Sequence, residues 1–348
     1  MTTDTVGGVW TYALELADAL ANRGVEVSLA AMGAPLDEPK RAELRASRVA
    51  RAYAESCALE WMSDPWGDVE RTGEWLLEIA ADLEPDLVHL NGYAHAALPW
   101  SAPALVVGHS CVLSWHEAVR DRPAGPEWSL YGKAVERGLR AAALLVAPTQ
   151  AMLDELVRLY DPPCPRTVIF NGRHWTRERV AKEPFVLAAG RLWDDAKNVQ
   201  ALARIAPRLA WPVVLAGEGA PRSGVRALGH VPRGELDALL ARAAIFAEPA
   251  RYEPFGLAAL EAGLAGCALV LGDIPSLREV WGDAALYVEP DDEERLAKVL
   301  DSLTRDEAAA RRLGERARKR ASEFTPERMA DAYLAAYGSA LSSARVAA

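Results

Sequence analysis

The chain has 348 residues, of which 51% are apolar and 25% charged, and its formal net charge is −10. That length suits two domains of roughly 150 residues each, with the composition of an ordinary soluble globular protein. The charge is uneven: 13 Lys/Arg face 24 Asp/Glu through Asp161, and 26 face 25 in the remainder. An acidic front half repels phosphate backbones and anionic headgroups, which argues against nucleic acid as a partner. No apolar run approaches the roughly 18 to 20 residues of a membrane span. The opening residues Met1–Val6 have neither a basic nor an apolar leader segment, so no signal peptide is expected. Cys57, Cys111, Cys164 and Cys267 lie far apart with no C-x-x-C. They read as reduced thiols of a cytoplasmic protein and argue against a zinc site.

In chain order, the first half alternates strands and helices. Strands are predicted at Val25–Met32, Leu87–Asn91, Ala104–His109, Leu144–Pro148 and Thr167–Asn171. Helices are predicted at Val9–Arg23, Val69–Leu83, Pro126–Arg140 and Met152–Tyr160. The second half repeats the alternation. Its strands are Phe185–Gly190, Val213–Gly217, Ile245–Glu248, Ala268–Gly272 and Ala285–Val288. Its helices are Val199–Leu209, Glu235–Arg242, Gly256–Ala265 and Ser276–Val280. Near-continuous apolar strands alternating with helices mean parallel sheets, so the fold class is α/β with two doubly wound domains. The domains are placed at residues 1–172 and 173–325, joined through the polar stretch Asn171–Pro184. The tail reads as helical over Glu294–Ser322 and Pro326–Leu341, with residues 326–348 as a separate C-terminal segment. Only Met1–Thr3 precede the first turn, so the opening strand is very short or the chain starts inside a longer one.

In such sheets ligands bind beyond the carboxyl ends of the strands, where helix N-termini offer free N–H groups. Five segments stand there. Gly7-Gly8 permits close backbone approach and reads equally as a tight turn. His109 can donate to a sugar hydroxyl or cap its own loop. Trp115-His116 is a weaker candidate, and His89 is expected to pack between sheets. Arg191 and Lys197 can neutralise a diphosphate, or be two solvated surface cations. The loops at Gly217 and at His230-Val231 can offer backbone to a base, or simply turn. The fifth segment runs from Glu253 to Glu261. Phe255, Gly256 and Leu257 present first-turn N–H groups for a phosphate, and Glu253 and Glu261 can bind hydroxyls. Glu261 reads otherwise as an exposed helix carboxylate, but its neighbours Leu260, Ala262, Gly263 and Leu264 point to burial with a partner.

Taken together, Gly7-Gly8, His109, Gly190-Arg191, Lys197-Asn198, Glu253-Pro-Phe-Gly, Glu261, Gly272–Glu279 and Ala284–Asp292 resemble the retaining glycosyltransferase family 4. The resemblance covers almost the whole chain. It implies the GT-B fold, two Rossmann-like domains facing across a cleft, with the C-terminal helix crossing back to the first. It implies transfer of a hexose-type sugar from a nucleotide-diphosphate sugar to an acceptor hydroxyl, with retention and without metal or other cofactor. No D-x-D run is present. By the same resemblance Glu253 and His109 lie at the transferred sugar and Arg191 and Lys197 at the diphosphate, with Glu261 at the ribose. Gly7, Gly8, Gly217, His230, Val231, Phe255, Gly256 and Leu257 complete the donor site. A UDP-sugar is favoured over a GDP-sugar. The acceptor is a saccharide, a lipid-linked or a small molecule. Asn171-Gly-Arg-His-Trp175 departs from the family's commoner run and leaves Arg173 and His174 without a role. The alternatives are a sugar-nucleotide-binding protein with little or no transferase activity, or an epimerase on the same fold. A phosphorylase would need a pyridoxal-phosphate lysine motif that is absent.

Overall fold

The computed structural model describes residues 1–219 and 223–347. They form two compact units. The first holds Met1–Glu117, Arg122–Gly172 and the chain from Thr325 onward; the second holds Arg173–Phe324 and Ala118–Asp121.

In the first unit, β1 (Thr2–Asp4), β2 (Ser28–Gly33) and β3 (Arg51–Ser56) form one parallel ladder in that order. A second parallel ladder runs β4 (Val88–Leu90), β5 (Ala104–Val107), β6 (Leu144–Ala147), β7 (Arg166–Val168). Leu105, Val106, Leu145 and Val146 are buried, as continuous apolar strands must be when both faces are covered. The ladder does not pass from β1 to β4. Asn91, one residue past β4, closes the seam with its side chain. Its Nδ2 donates to the Thr2 carbonyl at 2.7 Å, and its backbone N–H donates to Thr2 Oγ1 at 2.9 Å. Polar groups that a longer β1 would pair in a ladder are satisfied here by a side chain.

The helix Pro326–Ala347 belongs to this first unit. Met329, Ala330, Tyr333, Ala336 and Ala340 make its buried stripe, at helical spacing. Tyr12 of the first helix, Gly8–Ala21, donates to Tyr333 Oη at 2.6 Å, and Arg23 Nε lies 2.5 Å from Asp331. Ala348, the last residue of the segment 326–348, lies outside the described residues.

The second unit has one six-stranded parallel sheet in the order β10-β9-β8-β11-β12-β13. The strands are β8 (Glu183–Ala189), β9 (Val213–Ala216), β10 (Arg226–Gly229), β11 (Ala243–Glu248), β12 (Ala268–Gly272) and β13 (Leu286–Val288). Val186, Leu215, Ile245 and Val270 form its centre. The strand order reverses between β8 and β11, which opens a crevice at their carboxyl ends. Helix Leu257–Leu264, which follows β11, buries Ala259 through Gly263. A Cβ on Gly263 would meet the Trp281 ring at 2.5 Å, so only glycine lets this helix lie so close to the indole.

Several sequence expectations are corrected. β3 and β10, and the helices Glu38–Ala46 and Val112–Arg120, are not expected from the sequence. Both strands are sheet edges that expose much of their length, and Glu38–Ala46 buries no residue. Helix Val199–Leu209 ends at Ile205 and continues as a 3-10 turn over Ala206–Arg208, where Pro207 has no N–H for an α-helical bond. The stretch Glu294–Ser322 is two helices, Glu293–Arg305 and Glu307–Ala321, because Asp306 caps the second by accepting from Ala309 N at 2.8 Å. Among the described residues no helix is long and apolar enough to cross a membrane.

Asn91→Ala removes the Nδ2 bond to Thr2 and the Oδ1 acceptor that serves two histidines. A loss of about 2 kcal/mol in urea unfolding is expected. An unchanged midpoint would show that the seam does not depend on this side chain.

Candidate functional site

In the second unit the loops after β8 and β11 meet at the switch point. Asp194 starts the first loop by accepting from Ala196 N at 3.0 Å. Asn198 closes it in the left-handed conformation, φ 51°, which asparagine tolerates better than most residues. Its Nδ2 donates to the carbonyls of Pro249 at 3.1 Å and Pro290 at 2.6 Å, tying this loop to the two that follow β11 and β13. Lys197 is thereby aimed at the carboxyl end of β11. Its Nζ donates to Glu248 Oε1 at 2.6 Å and also to Glu253 Oε2.

This ion cluster is buried: side-chain exposures are 13% for Lys197, 4% for Glu248 and 15% for Glu253. Burial disfavours the Lys197 ammonium, but the two carboxylates outweigh it and raise its pKa above the ordinary lysine value. Burial also pushes Glu253 up, yet Lys197 and the N–H groups of Phe255 and Gly256 prevail and hold it below the usual carboxylate range. Glu248 lacks such N–H donors, and burial keeps its carboxyl above that range. Ser276 Oγ fixes the Glu253 backbone by donating to its carbonyl at 2.5 Å.

Glu253 also corrects one expectation. Helix Leu257–Leu264 starts one residue later than read, with Gly256 as its cap at φ 89°. The N–H groups of Gly256 and Phe255 point at Glu253 Oε1, at 2.8 and 3.3 Å. Two of the three N–H groups assigned to a phosphate are therefore occupied by this carboxylate.

Glu261 is buried, not an exposed helix carboxylate. Its Oε1 accepts from Arg173 Nε at 2.8 Å and lies 2.6 Å from Arg233 Nη1. A carboxylate buried this far requires such partners. Arg191 stands apart from both clusters, 3.6 Å from Asp194 and 5.7 Å over the ring of the exposed Trp193. Gly217 donates to the Gly229 carbonyl at 2.8 Å. A Cβ on Gly217 would sit 2.0 Å from Gly190 O, so glycine allows the loops after β8 and β9 to touch. His230 is exposed and Val231 half-buried, just beyond β10.

In the first unit Gly7 caps helix Gly8–Ala21 at φ 78°. His109 follows β5, and its ring packs edge-on to Tyr12 at 4.5 Å between centroids. Asn91 Nδ2 is committed to Thr2, so Asn91 Oδ1 faces His109 Nε2 at 2.9 Å. An amide oxygen only accepts, so Nε2 carries the hydrogen. The expected hydrogen bond from His109 to a sugar is corrected accordingly: that N–H is taken, and Nδ1 offers a lone pair. Burial pushes the His109 pKa down to about 3, which keeps the ring neutral. His89 also lies within this network: its Nε2 is 3.2 Å from Asn91 Oδ1 and its Nδ1 is 2.7 Å from Tyr337 Oη.

Lys197 meets Glu253 rather than Arg191, the cation expected beside it at a diphosphate, and Arg191 joins neither cluster. Sequence reasoning missed Glu248, Arg173, Arg233 and Asn91. A charged residue closing an apolar strand, as Glu248 closes Ala-Ala-Ile-Phe-Ala, was the one available signal.

The His109 value has a consequence for stability. It lies below the ordinary 6.5, so the unfolded chain binds more protons in the window between the two values. The contribution is complete above about pH 6.5 and is lost as pH falls toward 3, at about 1.4 kcal/mol per pH unit. Urea midpoints between pH 7 and 4 should fall less steeply in His109→Asn than in the parent chain. Parallel slopes would rule out this histidine as a source of acid lability.

Comparison with known proteins gives a consistent picture. The profile described as Glycosyltransferase Family 4 matches residues 6–174, and that described as Glycosyl transferases group 1 matches residues 174–320. The glycogen synthase of Mycobacterium tuberculosis is 33% identical over 308 residues, covering 76% of this chain and 73% of that protein. Sucrose-phosphate synthase from Thermosynechococcus elongatus superposes with a TM-score of 0.80 at 20% identity, covering 98% of this chain and 99% of its own. Anabaena HepE in complex with UDP-glucose gives 0.74 at 16% identity, covering 97% and 99%. The architecture is a GT-B fold of two Rossmann-like units.

Proposed function

The chain belongs to glycosyltransferase family 4 and is a glycosyltransferase, and from that premise we propose a retaining, metal-independent transfer of a hexose-type sugar from a nucleotide-diphosphate sugar to an acceptor hydroxyl. The observation that carries the reading is the buried cluster of Lys197, Glu248 and Glu253 at the switch point of the second sheet. That position is where open α/β sheets take anionic ligands.

In this reading Lys197 and Arg191 meet the diphosphate, and Glu253 exchanges its ammonium and N–H partners for hydroxyls of the transferred sugar. Lys197, Arg191 and the start of helix Leu257–Leu264 stabilise charge on the leaving diphosphate, a role that needs no metal. Glu261 takes the ribose after giving up one of its arginines. Backbone at Gly217, His230 and Val231 serves the base, and Phe255, Gly256 and Leu257 serve the phosphates. On the first unit, Gly7 and Gly8 allow close backbone approach to the donor, and neutral His109 accepts a hydroxyl hydrogen at Nδ1. The donor is proposed as a UDP-sugar, supported by the solved likeness that holds UDP-glucose. The acceptor is a saccharide, a lipid-linked or a small molecule, in a cytoplasmic setting. No observation favours a non-catalytic binder or an epimerase.

Glu253→Ala and Lys197→Ala are each expected to lower turnover by roughly a hundredfold or more in a transfer or donor-hydrolysis assay. Undiminished turnover in both would sink the site assignment. In a thermal-shift series with UDP, GDP, ADP and dTDP, UDP should raise the melting temperature most, because a ligand bound only to the folded state stabilises it. NMR of the product should give the same anomer as the donor; the opposite anomer would refute retention.

A further inference from the structure

The two carboxylates on Lys197 are not equivalent. Glu253 Oε1 also accepts from Phe255 N and Gly256 N. Glu248 has no such support: Oε1 meets Lys197 Nζ at 2.6 Å, and Oε2 is buried without a hydrogen-bond partner among the described residues. Glu248 is 4% exposed, at the end of a strand whose neighbours Phe246 and Ala247 are fully buried. Its charge therefore depends on Lys197 alone. Drawing the ammonium away from Glu248 would strand a buried anion, which is far more unfavourable than drawing it from Glu253.

We infer that Glu248 is a positioning residue that holds Lys197 in place while Glu253 is released to a sugar, so that the site favours a nucleotide sugar over the nucleoside diphosphate it leaves behind. The inference rests on the donor-site reading given above. Its logic is one of competition. With Glu248 present, Lys197 keeps a carboxylate when Glu253 turns to hydroxyls. Without that charge, Glu253 is the one carboxylate left on Lys197, their pair tightens, and a sugar must break it. Loss of the buried anion also removes a repulsion toward the diphosphate, so nucleoside diphosphate binding is retained or improved.

The test uses the full chain with UDP and UDP-glucose as probes. Glu248→Gln keeps the shape and removes the charge; Glu248→Leu also removes the unpartnered oxygen. In both, the ratio of Kd for UDP-glucose to Kd for UDP should rise by about tenfold over the parent, with UDP binding no weaker. In a Glu253→Ala background the same substitutions should leave that ratio unchanged, since the competing partner is gone. A melting temperature that moves while the ratio stays at the parental value in both variants would overturn the inference and leave Glu248 a structural residue. A ratio that rises equally with Glu253 absent would overturn it too. A parent chain that binds neither probe would instead remove the donor-site reading, and the inference with it.

Discussion

A charge held out of water must be paired, and this requirement organises the second unit. Lys197, Glu248 and Glu253 are all largely buried, and none would be tolerable there alone. Satisfying them constrains several elements at once. Asn198 bonds the loops after β11 and β13, Ser276 holds the Glu253 backbone, and Glu253 accepts the Phe255 and Gly256 N–H groups that lead into the following helix. That helix is in turn pressed against Trp281 at Gly263. The charges and the packing of the site impose the same geometry.

The first unit meets a similar requirement with neutral groups. Tyr12, His89 and Tyr333, all buried, share hydrogen bonds with the half-buried Asn91, His109 and Tyr337. Burial keeps both histidines neutral by lowering their pKa values. The network joins the last helix to the first helix and to the seam between β1 and β4. His109 therefore owes its tautomer to Asn91, and Asn91 owes its orientation to Thr2. A residue at a strand end has its proton position set by contacts distant in the chain.

Glu261 illustrates a third case. Two arginines reach it, one from just past the domain boundary and one from the start of helix Arg233–Arg242. A carboxylate with two cations is well held but already occupied. Any hydroxyl brought to Glu261 has to compete with a guanidinium. The same competition governs Glu253, whose partners are an ammonium and two N–H groups.

The amino-acid sequence alone determined the alternation of buried strands and helices, because parallel strands covered on both faces read as apolar runs whatever their partners. It also placed Lys197 and Glu253 in loops just before helices, where local rules apply, and Glu261 further along the second of those helices. It left the edge strands Arg51–Ser56 and Arg226–Gly229 unread, since edges bury too little to carry a pattern. Pairing was decided by tertiary structure alone. Glu248 and Lys197 are 51 residues apart, Arg173 and Glu261 are 88, and His89 and Tyr337 are 248. A buried ion or hydrogen-bond pair at such separations leaves no local period, and only the folded chain shows which charge answers which.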